Sequence, residues 1–170
     1  MNSAGSATAT AEWAVSSQEW DAWRSFLDMR TFLDRELERQ LQRDAGLSSA
    51  DYGILTTLST AKDRRLRARE LGELLAWEKS RVSHQVSRME SRGLVERQEC
   101  PEDARGTWIA ITPEGRRTML RATRDHGATL RRYFLDVLEP GELEQLAHLS
   151  KRVLGVINPS ACEIAESPDA

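Results

Sequence analysis

Apolar residues recur every three or four positions over most of the chain, which is the spacing of amphipathic helices. Between residues 17 and 43 this spacing predicts one long helix, and Gly46 suits the left-handed cap that would end it. A second helix is predicted to begin after Ser48, because Ser48 and Asp51 have the spacing of a capping box. This second helix ends near Ala61.

Two short helices are predicted next. The first covers residues 68–75 and carries three leucines on its inward face, namely Leu71, Leu74 and Leu75. The second runs from Ser80 to about Arg92, and residues 77–79 form the tight connection between the two. Two helices joined by a turn of a few residues form a helix-turn-helix.

The hydrophobic period changes after Gly93. Residues 94–97 and 107–111 have the composition of short strands, and the polar segment between them contains Pro101 and Gly106. This pattern predicts a β-hairpin with a long tip. A hairpin directly after the second helix of a helix-turn-helix is the wing of a winged helix-turn-helix.

Thr112 and Pro113 have the residue types of an N-cap and a first helical position, so a further long helix is predicted to begin there. Pro140 begins a last helix that extends to residue 157. The predicted fold is therefore mainly α with a small β-wing, a winged helix-turn-helix between N- and C-terminal helices. Residues 1–16 and 158–170 are predicted to be disordered tails, the second of them acidic.

The chain of 170 residues has a formal net charge of −3, but the charges are unevenly distributed. Residues 62–92 contain nine basic and five acidic side chains, so a basic segment interrupts an acidic chain. Exposed charges more than about 8 Å apart are largely screened at physiological salt. A local basic surface can therefore attract phosphate groups, although an ordinary solvated face would have the same composition.

Three properties of the sequence indicate where in the cell the protein is expected. Two cysteines, Cys100 and Cys162, are too few for a disulfide framework. No apolar run is long enough to span a membrane, and the first twenty residues lack the basic start and apolar core of a secretory signal. We therefore expect a cytoplasmic protein with no membrane partner.

The predicted helix from Ser80 to Arg92 has two distinct faces. On a helical wheel, Val82, Val86 and Met89 cluster on one side and are expected to face the core. The outward face carries hydroxyl, imidazole, amide and guanidinium groups, from Ser80, Arg81, His84, Gln85, Ser87, Arg88 and Ser91. Such groups donate hydrogen bonds to base edges and phosphates, so we interpret the helix as a DNA-recognition helix rather than a merely polar surface helix.

Arg105 lies at the tip of the predicted hairpin. A single arginine on a narrow ribbon can enter the minor groove of DNA, where negative potential is concentrated. Asp103, two residues earlier, could hold the guanidinium group by a bidentate pair. An exposed surface ion pair is the alternative.

The segment from Arg69 to Arg97, with the wing residues Asp103 to Thr112, resembles the MarR family of winged-helix transcriptional regulators. The wing fits the family's Asp-x-Arg pattern followed by Ile-Thr. The resemblance implies that Arg105 is the minor-groove arginine and that four residues of the recognition helix lie near bases, namely Ser80, Arg81, Ser83 and His84. It also implies a homodimer that binds a pseudo-palindromic DNA operator, most often as a repressor.

The resemblance divides the chain by role. Residues 17–46 and 113–157 would form the dimerisation helices, and residues 47–112 the DNA-binding domain. A homodimer is also expected on physical grounds, because one winged domain makes few contacts and two half-sites about 10 base pairs apart add their binding energies. The long flanking helices also have too little of their own chain to pack against, and a second copy would supply that surface.

Many members of the family are released from DNA by small aromatic or phenolic ligands, which bind between the dimer platform and the DNA-binding lobe. The candidate lining residues here are Trp20, Trp23, Arg30, Tyr52 and His126. Each has a structural alternative. The two tryptophans suit a dimer core, Arg30 suits an ion pair, and His126 suits a packed helix seam.

No glycine-rich phosphate loop, Gly-x-Ser-x-Gly or His-Glu-x-x-His sequence occurs, so we expect no enzyme. The three histidines and two cysteines lack the spacing of metal ligands, so we expect no metal and no cofactor. The alternatives are a winged-helix module for protein–protein contacts and a constitutive DNA binder without a ligand. A DNA binder would lose affinity steeply with salt.

Overall fold

The computed structural model describes residues 14–99 and 107–158. Its α-helices are α1 (Ser17–Ala45), α2 (Ser49–Thr60), α3 (Ala68–Leu75), α4 (Lys79–Glu90), α5 (Pro113–Tyr133) and α6 (Glu142–Ile157). Its strands are β1 (Arg65–Arg67), β2 (Val95–Glu99) and β3 (Thr107–Ile111), and short 3₁₀ turns lie at Lys62–Arg64 and Leu135–Val137. The order is that of the predicted winged helix-turn-helix between flanking helices. The predicted fold class is confirmed.

The predicted helix caps are present. Gly46 has a φ of +62° directly after α1. At the start of α2 the hydroxyl of Ser48 accepts a 3.0 Å hydrogen bond from the Asp51 amide, and the Asp51 carboxylate accepts a 2.9 Å bond from the Ser48 amide. This reciprocal pair satisfies two amide groups that a helix start otherwise leaves unbonded.

The described strands form an antiparallel sheet in the order β1-β3-β2. The hairpin was predicted from its own sequence, whereas β1 was not, because three residues are too short for a periodic signal. Its pairing is nonlocal, with Arg65 opposite Ala110 and Arg67 opposite Trp108. The pairing adds β1 as a third strand beside the hairpin and places two arginines next to a tryptophan.

One hydrophobic core joins the helix-turn-helix to the sheet and to α5. Its largest fully buried side chains include Leu41, Leu47, Ile54, Leu55, Leu58, Leu71, Val82, Val86 and Met89. The prediction that Leu74 faces inward is wrong, since it is 50% exposed. The buried side of α3 is centred between Leu71, Gly72 and Leu75, and at 100° per residue Leu74 falls outside it.

The chain divides into two compact units, residues 1–35 and residues 36–170. In the first unit, α1 leaves five large apolar side chains exposed, namely Trp20, Trp23, Phe26, Met29 and Phe32. In the second unit, α6 has no buried residue, and its exposed apolar side chains are Leu143, Leu149, Val153, Leu154, Val156 and Ile157.

None of the helices in the described ranges is both long enough and apolar enough to cross a membrane. The predicted tails, at residues 1–16 and 158–170, lie almost entirely outside the described residues.

Candidate nucleic-acid interface

The turn between α3 and α4 sets where the recognition helix begins. Ala76 adopts a left-handed conformation with φ of +53°, and the amide of Trp77 donates a 2.8 Å hydrogen bond to the carbonyl of Gly72. A Cβ atom at Gly72 would lie only 3.0 Å from the carbonyl oxygen of Trp77. A larger residue at position 72 would therefore push the turn away from α3.

The two faces of α4 are arranged as its sequence predicts. Val82, Val86 and Met89 are buried in the core. The opposite side is exposed to solvent and contains Ser80, Arg81, Ser83, His84, Ser87 and Arg88. These residues combine hydroxyl, imidazole and guanidinium groups, which suits hydrogen bonding to base edges and phosphates.

Gln85 is an exception on this helix. Its side chain turns toward α2 and donates a 2.6 Å hydrogen bond to Oδ1 of Asp51. The prediction that Gln85 belongs to the outward face is therefore wrong. At 100° per residue Gln85 lies about 40° from the buried Met89, on the flank of the buried side, and the bond that fixes it comes from a residue 34 positions earlier.

Arg97 on β2 connects the wing to α4, a role that the sequence did not reveal. Its guanidinium group pairs with the Glu90 carboxylate and donates a 2.9 Å hydrogen bond to the Ser87 hydroxyl. Its amide donates a further 3.1 Å bond to Glu90. Its guanidinium group also donates a 3.4 Å bond to the carbonyl of Ser83, so four polar contacts hold the wing strand to α4.

Trp108 lies beneath two arginines on the outer face of the sheet. The guanidinium carbons of Arg65 and Arg67 lie 4.9 Å and 4.3 Å from the ring centre, within the range of cation–π interactions. The pairing of β1 with β3 creates this arrangement, so strand alternation in the hairpin alone could not predict it. It concentrates positive charge at the base of the wing.

The two wing-tip residues proposed from the sequence, Asp103 and Arg105, lie outside the described residues. Thr107 is the first described residue after the tip, and it pairs with Glu99 across the hairpin. The structure therefore describes the base of the wing, up to Glu99 on one strand and from Thr107 on the other.

Two of the candidate ligand residues lie together within the second unit. The rings of Tyr52 and His126 have centres 4.8 Å apart. The Tyr52 hydroxyl donates a 3.1 Å bond to Thr123, and Nδ1 of His126 lies 3.2 Å from Oε1 of Gln40, which is buried. Burial lowers the pKa of His126, because desolvation disfavours the charged imidazolium. This cluster joins the end of α1 to α2 and α5.

The other candidate ligand residues, Trp20, Trp23 and Arg30, belong to the first unit and are exposed. Trp23 stacks on Phe26, with ring centres 5.6 Å apart. No group of three or more histidine, cysteine or acidic side chains in the described ranges could hold a metal ion.

Comparison with known proteins gives a consistent result. A family model described as MarR family matches residues 45–106. The structure is similar to that of Sco3205, a MarR family transcriptional regulator from Streptomyces coelicolor solved in complex with DNA. The TM-score is 0.83 at 36% identity, covering 87% of this chain and 92% of that one.

It is also similar to AbsC, another MarR family transcriptional regulator from Streptomyces coelicolor, with a TM-score of 0.76 and 35% identity over 91% of this chain and 99% of that one. The fold alone is shared with the C80S mutant of MarR from E. coli in complex with operator DNA. Here the TM-score is 0.71 at 23% identity, covering 79% of this chain and 94% of that one. No curated protein sequence gives a significant match.

Proposed function

The chain belongs to the MarR family of transcriptional regulators, and we propose that it acts as a homodimer that binds a pseudo-palindromic DNA operator and represses transcription from it. As a member of this family it is a regulator and not an enzyme. In the proposed complex, α4 lies in the major groove and the wing reaches the adjacent minor groove.

The observation that carries this proposal is the exposed face of α4. Its apolar side is held in the core, so the side chains exposed to solvent are Ser80, Arg81, Ser83, His84 and Arg88. Within the described ranges, Arg81 and Arg88 make no ion pair with a carboxylate, which leaves both available for DNA. Asp103 and Arg105 complete the proposed contact set from the wing tip.

We propose that the second copy covers the exposed apolar faces of the flanking helices. Single exposed apolar residues are common on soluble proteins, but contiguous apolar faces mark interaction sites. The face of α6, from Leu143 to Ile157, extends over the whole helix. Residues 17–46 and 113–157 therefore form the proposed dimerisation helices, and residues 47–112 the proposed DNA-binding domain.

We propose further that a small aromatic or phenolic ligand regulates DNA binding through residues that include Tyr52 and His126. Their rings are in contact and adjoin the buried amide of Gln40, so aromatic surface and hydrogen-bonding groups occur together. The other candidate ligand residues, Trp20, Trp23 and Arg30 of the first unit, remain proposed ligand contacts. A ligand can release DNA only if it binds better to a dimer whose recognition helices do not fit the operator.

Selection of bound duplexes from random DNA tests the proposal directly. We expect an inverted repeat with half-site centres about 10 base pairs apart. Affinity for this operator should fall steeply between 50 and 200 mM salt, roughly in proportion to the number of phosphates contacted. Repeating the titration with an aromatic carboxylate such as benzoate tests ligand release. A protein that selects no sequence and ignores duplex DNA at low salt would instead be a protein-interaction module.

A further inference from the structure

Asp51 is a buried carboxylate at the first turn of α2, and its side chain is 3% exposed. Both of its oxygen atoms are bound by the recognition-helix segment. Oδ1 accepts the 2.6 Å bond from Gln85, and Oδ2 accepts a 2.7 Å bond from the guanidinium group of Arg92. Oδ2 also accepts the capping bond from the amide of Ser48.

Gln85 and Arg92 are seven residues apart. Gln85 lies in the middle of α4, whereas Arg92 lies in the turn that follows the helix, two residues after Glu90. The carboxylate of Asp51 therefore holds the α4 segment at its middle and just beyond its end. Two directional bonds that reach one carboxylate from these two points resist rotation of α4 about its axis.

Arg92 extends this connection to α1. Its second terminal nitrogen donates a hydrogen bond to the carbonyl of Gly46, the residue that ends α1. The Ser49 amide donates a 2.7 Å bond to Glu38 on α1. The end of α1, the start of α2 and the recognition helix thus meet at one charged junction.

The protonation state of Asp51 follows from these partners. Burial alone would raise the pKa of the carboxyl group, but the bonds from Ser48 and Arg92 outweigh it and the pKa is lowered. The carboxylate is therefore charged at neutral pH. A buried ion pair often adds little net stability, because desolvation offsets the attraction, whereas its directional bonds can select one arrangement of the chain.

We infer that Asp51 is a positioning residue for DNA recognition, which sets the rotation of α4 and thereby the side chains that meet the bases. This inference rests on the proposed function. The apolar contacts of Val82 and Val86 place one side of α4 in the core, and the bonds to Asp51 add directional contacts that select one rotation of the helix. A helix has an outer radius of about 5–6 Å, so a rotation of 20° moves its side-chain ends by about 2 Å. A displacement of that size breaks most hydrogen bonds to base edges.

The inference gives Gln85 a different role from a base contact. Gln85 acts through Asp51, and the residues that face the groove are its neighbours Arg81, His84 and Arg88. Asp51 itself is too deeply buried to touch DNA. A loss of sequence preference in an Asp51 variant would therefore have to pass through the position of α4.

The test uses the full-length dimer, the operator selected by the wild type and a scrambled duplex of equal length. Two variants break the junction, Asp51→Asn and Gln85→Met, which both keep the size of the side chain. Ile54→Val is the matched control, because it removes a buried methylene group from α2 without changing a polar contact. The measured quantity is the ratio of operator affinity to scrambled-duplex affinity, at a temperature where melting curves show each variant folded.

We expect each junction variant to lower this ratio about tenfold, comparable to the loss of one base-specific contact. Affinity for the scrambled duplex should stay within about twofold, because phosphate contacts tolerate small displacements. The double variant should lose no more than Asp51→Asn alone, since the bond that Gln85→Met removes ends on Asp51. The control should keep the wild-type ratio.

Three results would overturn the inference. The first is a folded Gln85→Met variant that keeps the wild-type ratio of operator affinity to scrambled-duplex affinity. This variant still tests the junction if Asp51→Asn does not fold. The second is a double variant whose loss of the affinity ratio equals the sum of the two single losses, with the loss from Gln85→Met limited to one base pair of the operator. That result would make Gln85 a direct base contact. The third is a wild type that prefers no sequence, which would refute the proposed function and this inference together.

Discussion

The guanidinium group of Arg81 lies over the ring of Trp77, 4.1 Å from its centre. Trp77 belongs to the turn before α4 and is half-buried, so it forms a fixed base beneath an exposed arginine. A planar guanidinium group stacks on an aromatic ring better than the compact ammonium group of lysine. The stacked position reduces the freedom of Arg81 before DNA arrives, and lower freedom means a smaller entropic cost of binding.

We predict that Arg81→Ala relaxes base preference in the operator by about 1–3 kcal/mol at the position that Arg81 contacts. Arg81→Lys should recover general affinity but not that preference, because it restores charge without the stacked plane. Affinities for operators with single-base substitutions would measure both effects. An equal loss on every sequence would instead assign Arg81 to a phosphate.

His84→Ala should produce a separate relaxation of about the same size, at a different base pair of the half-site. His84 is exposed on α4, so its removal leaves the core intact. The same set of substituted operators measures the effect. If the preferences at all positions stayed those of the wild type, His84 would not contribute to base recognition.

For the wing, we expect Arg105→Ala to weaken operator binding without loss of fold. An arginine in the minor groove contributes through the concentrated negative potential there. The change should also make binding less salt-dependent, since one cationic contact is lost from each copy of the dimer. Arg124→Ala on α5 is the control, because it removes an equal charge from an exposed position. Unchanged affinity in Arg105→Ala would remove the wing tip from the mechanism.

The parts of the fold that follow from local chemistry were predictable from the sequence. The capping box of Ser48 and Asp51 is an example, because both partners lie within one helical turn. The apolar stripe of α4 is another, because helical periodicity alone places Val82 and Val86 on one side.

Apart from the face of Leu74 within α3, the missing predictions concern contacts between distant segments. Gln85 was assigned to the outward face of α4, whereas it lies beside the buried side, and no local pattern marks the Asp51 carboxylate of another helix as its partner. Trp108 acquires its arginines from β1, about forty positions earlier, and no short-range pattern marks that pairing. Sequence spacing determines the faces of single helices, whereas the contents of the site depend on how those helices meet.

Two glycines of α5 offer a matched test of packing. A Cβ atom at Gly115 would lie 2.0 Å from the carbonyl oxygen of Leu94, whereas a Cβ atom at Gly127 would meet nothing within 4 Å in the described structure. We predict that Gly115→Ala destabilises the protein by about 3 kcal/mol or more, because backbone must move. Gly127→Ala should stabilise it by up to about 1 kcal/mol, the difference in helix propensity.

Chemical denaturation at one fixed protein concentration would measure both glycine variants, since the stability of a dimer depends on concentration. A similar stability for the two variants would contradict the close approach of α5 to Leu94. A loss of stability in Gly127→Ala would indicate that the second copy packs against this part of α5.

Dimerisation is tested on α6, where Val153 is 48% exposed in the single chain. Val153→Asp should weaken the dimer strongly, because association would bury a carboxylate without a partner. Operator affinity should fall with it, since one winged domain binds one half-site. Sedimentation across a range of concentrations would measure the dimer, and His148→Asp, which adds a carboxylate on the side of α6 away from Val153, is the control. A monomeric wild type would refute the proposed assembly.

The lowered pKa of His126 predicts how stability depends on pH. Its pKa in the folded protein lies below the ordinary value of 6.5, because burial disfavours the imidazolium. As pH falls below that value the unfolded chain takes up a proton more readily than the folded one, so the free energy of unfolding decreases. The lowered pKa of Asp51 acts in the same direction, but only as pH falls below its ordinary value of 3.8.

We therefore expect the wild type to lose stability between pH 7 and pH 5, and His126→Phe to lose less of it over that interval. Comparing the slopes of unfolding free energy against pH removes any pH-independent effect of the substitution. At pH 8 the histidine is neutral in both the folded and the unfolded wild type. Urea unfolding at each pH would measure the slopes. Equal slopes for the wild type and the variant would mean that burial of His126 beside Gln40 and Tyr52 does not disfavour its protonation. The predicted pH response of this cluster would then be refuted.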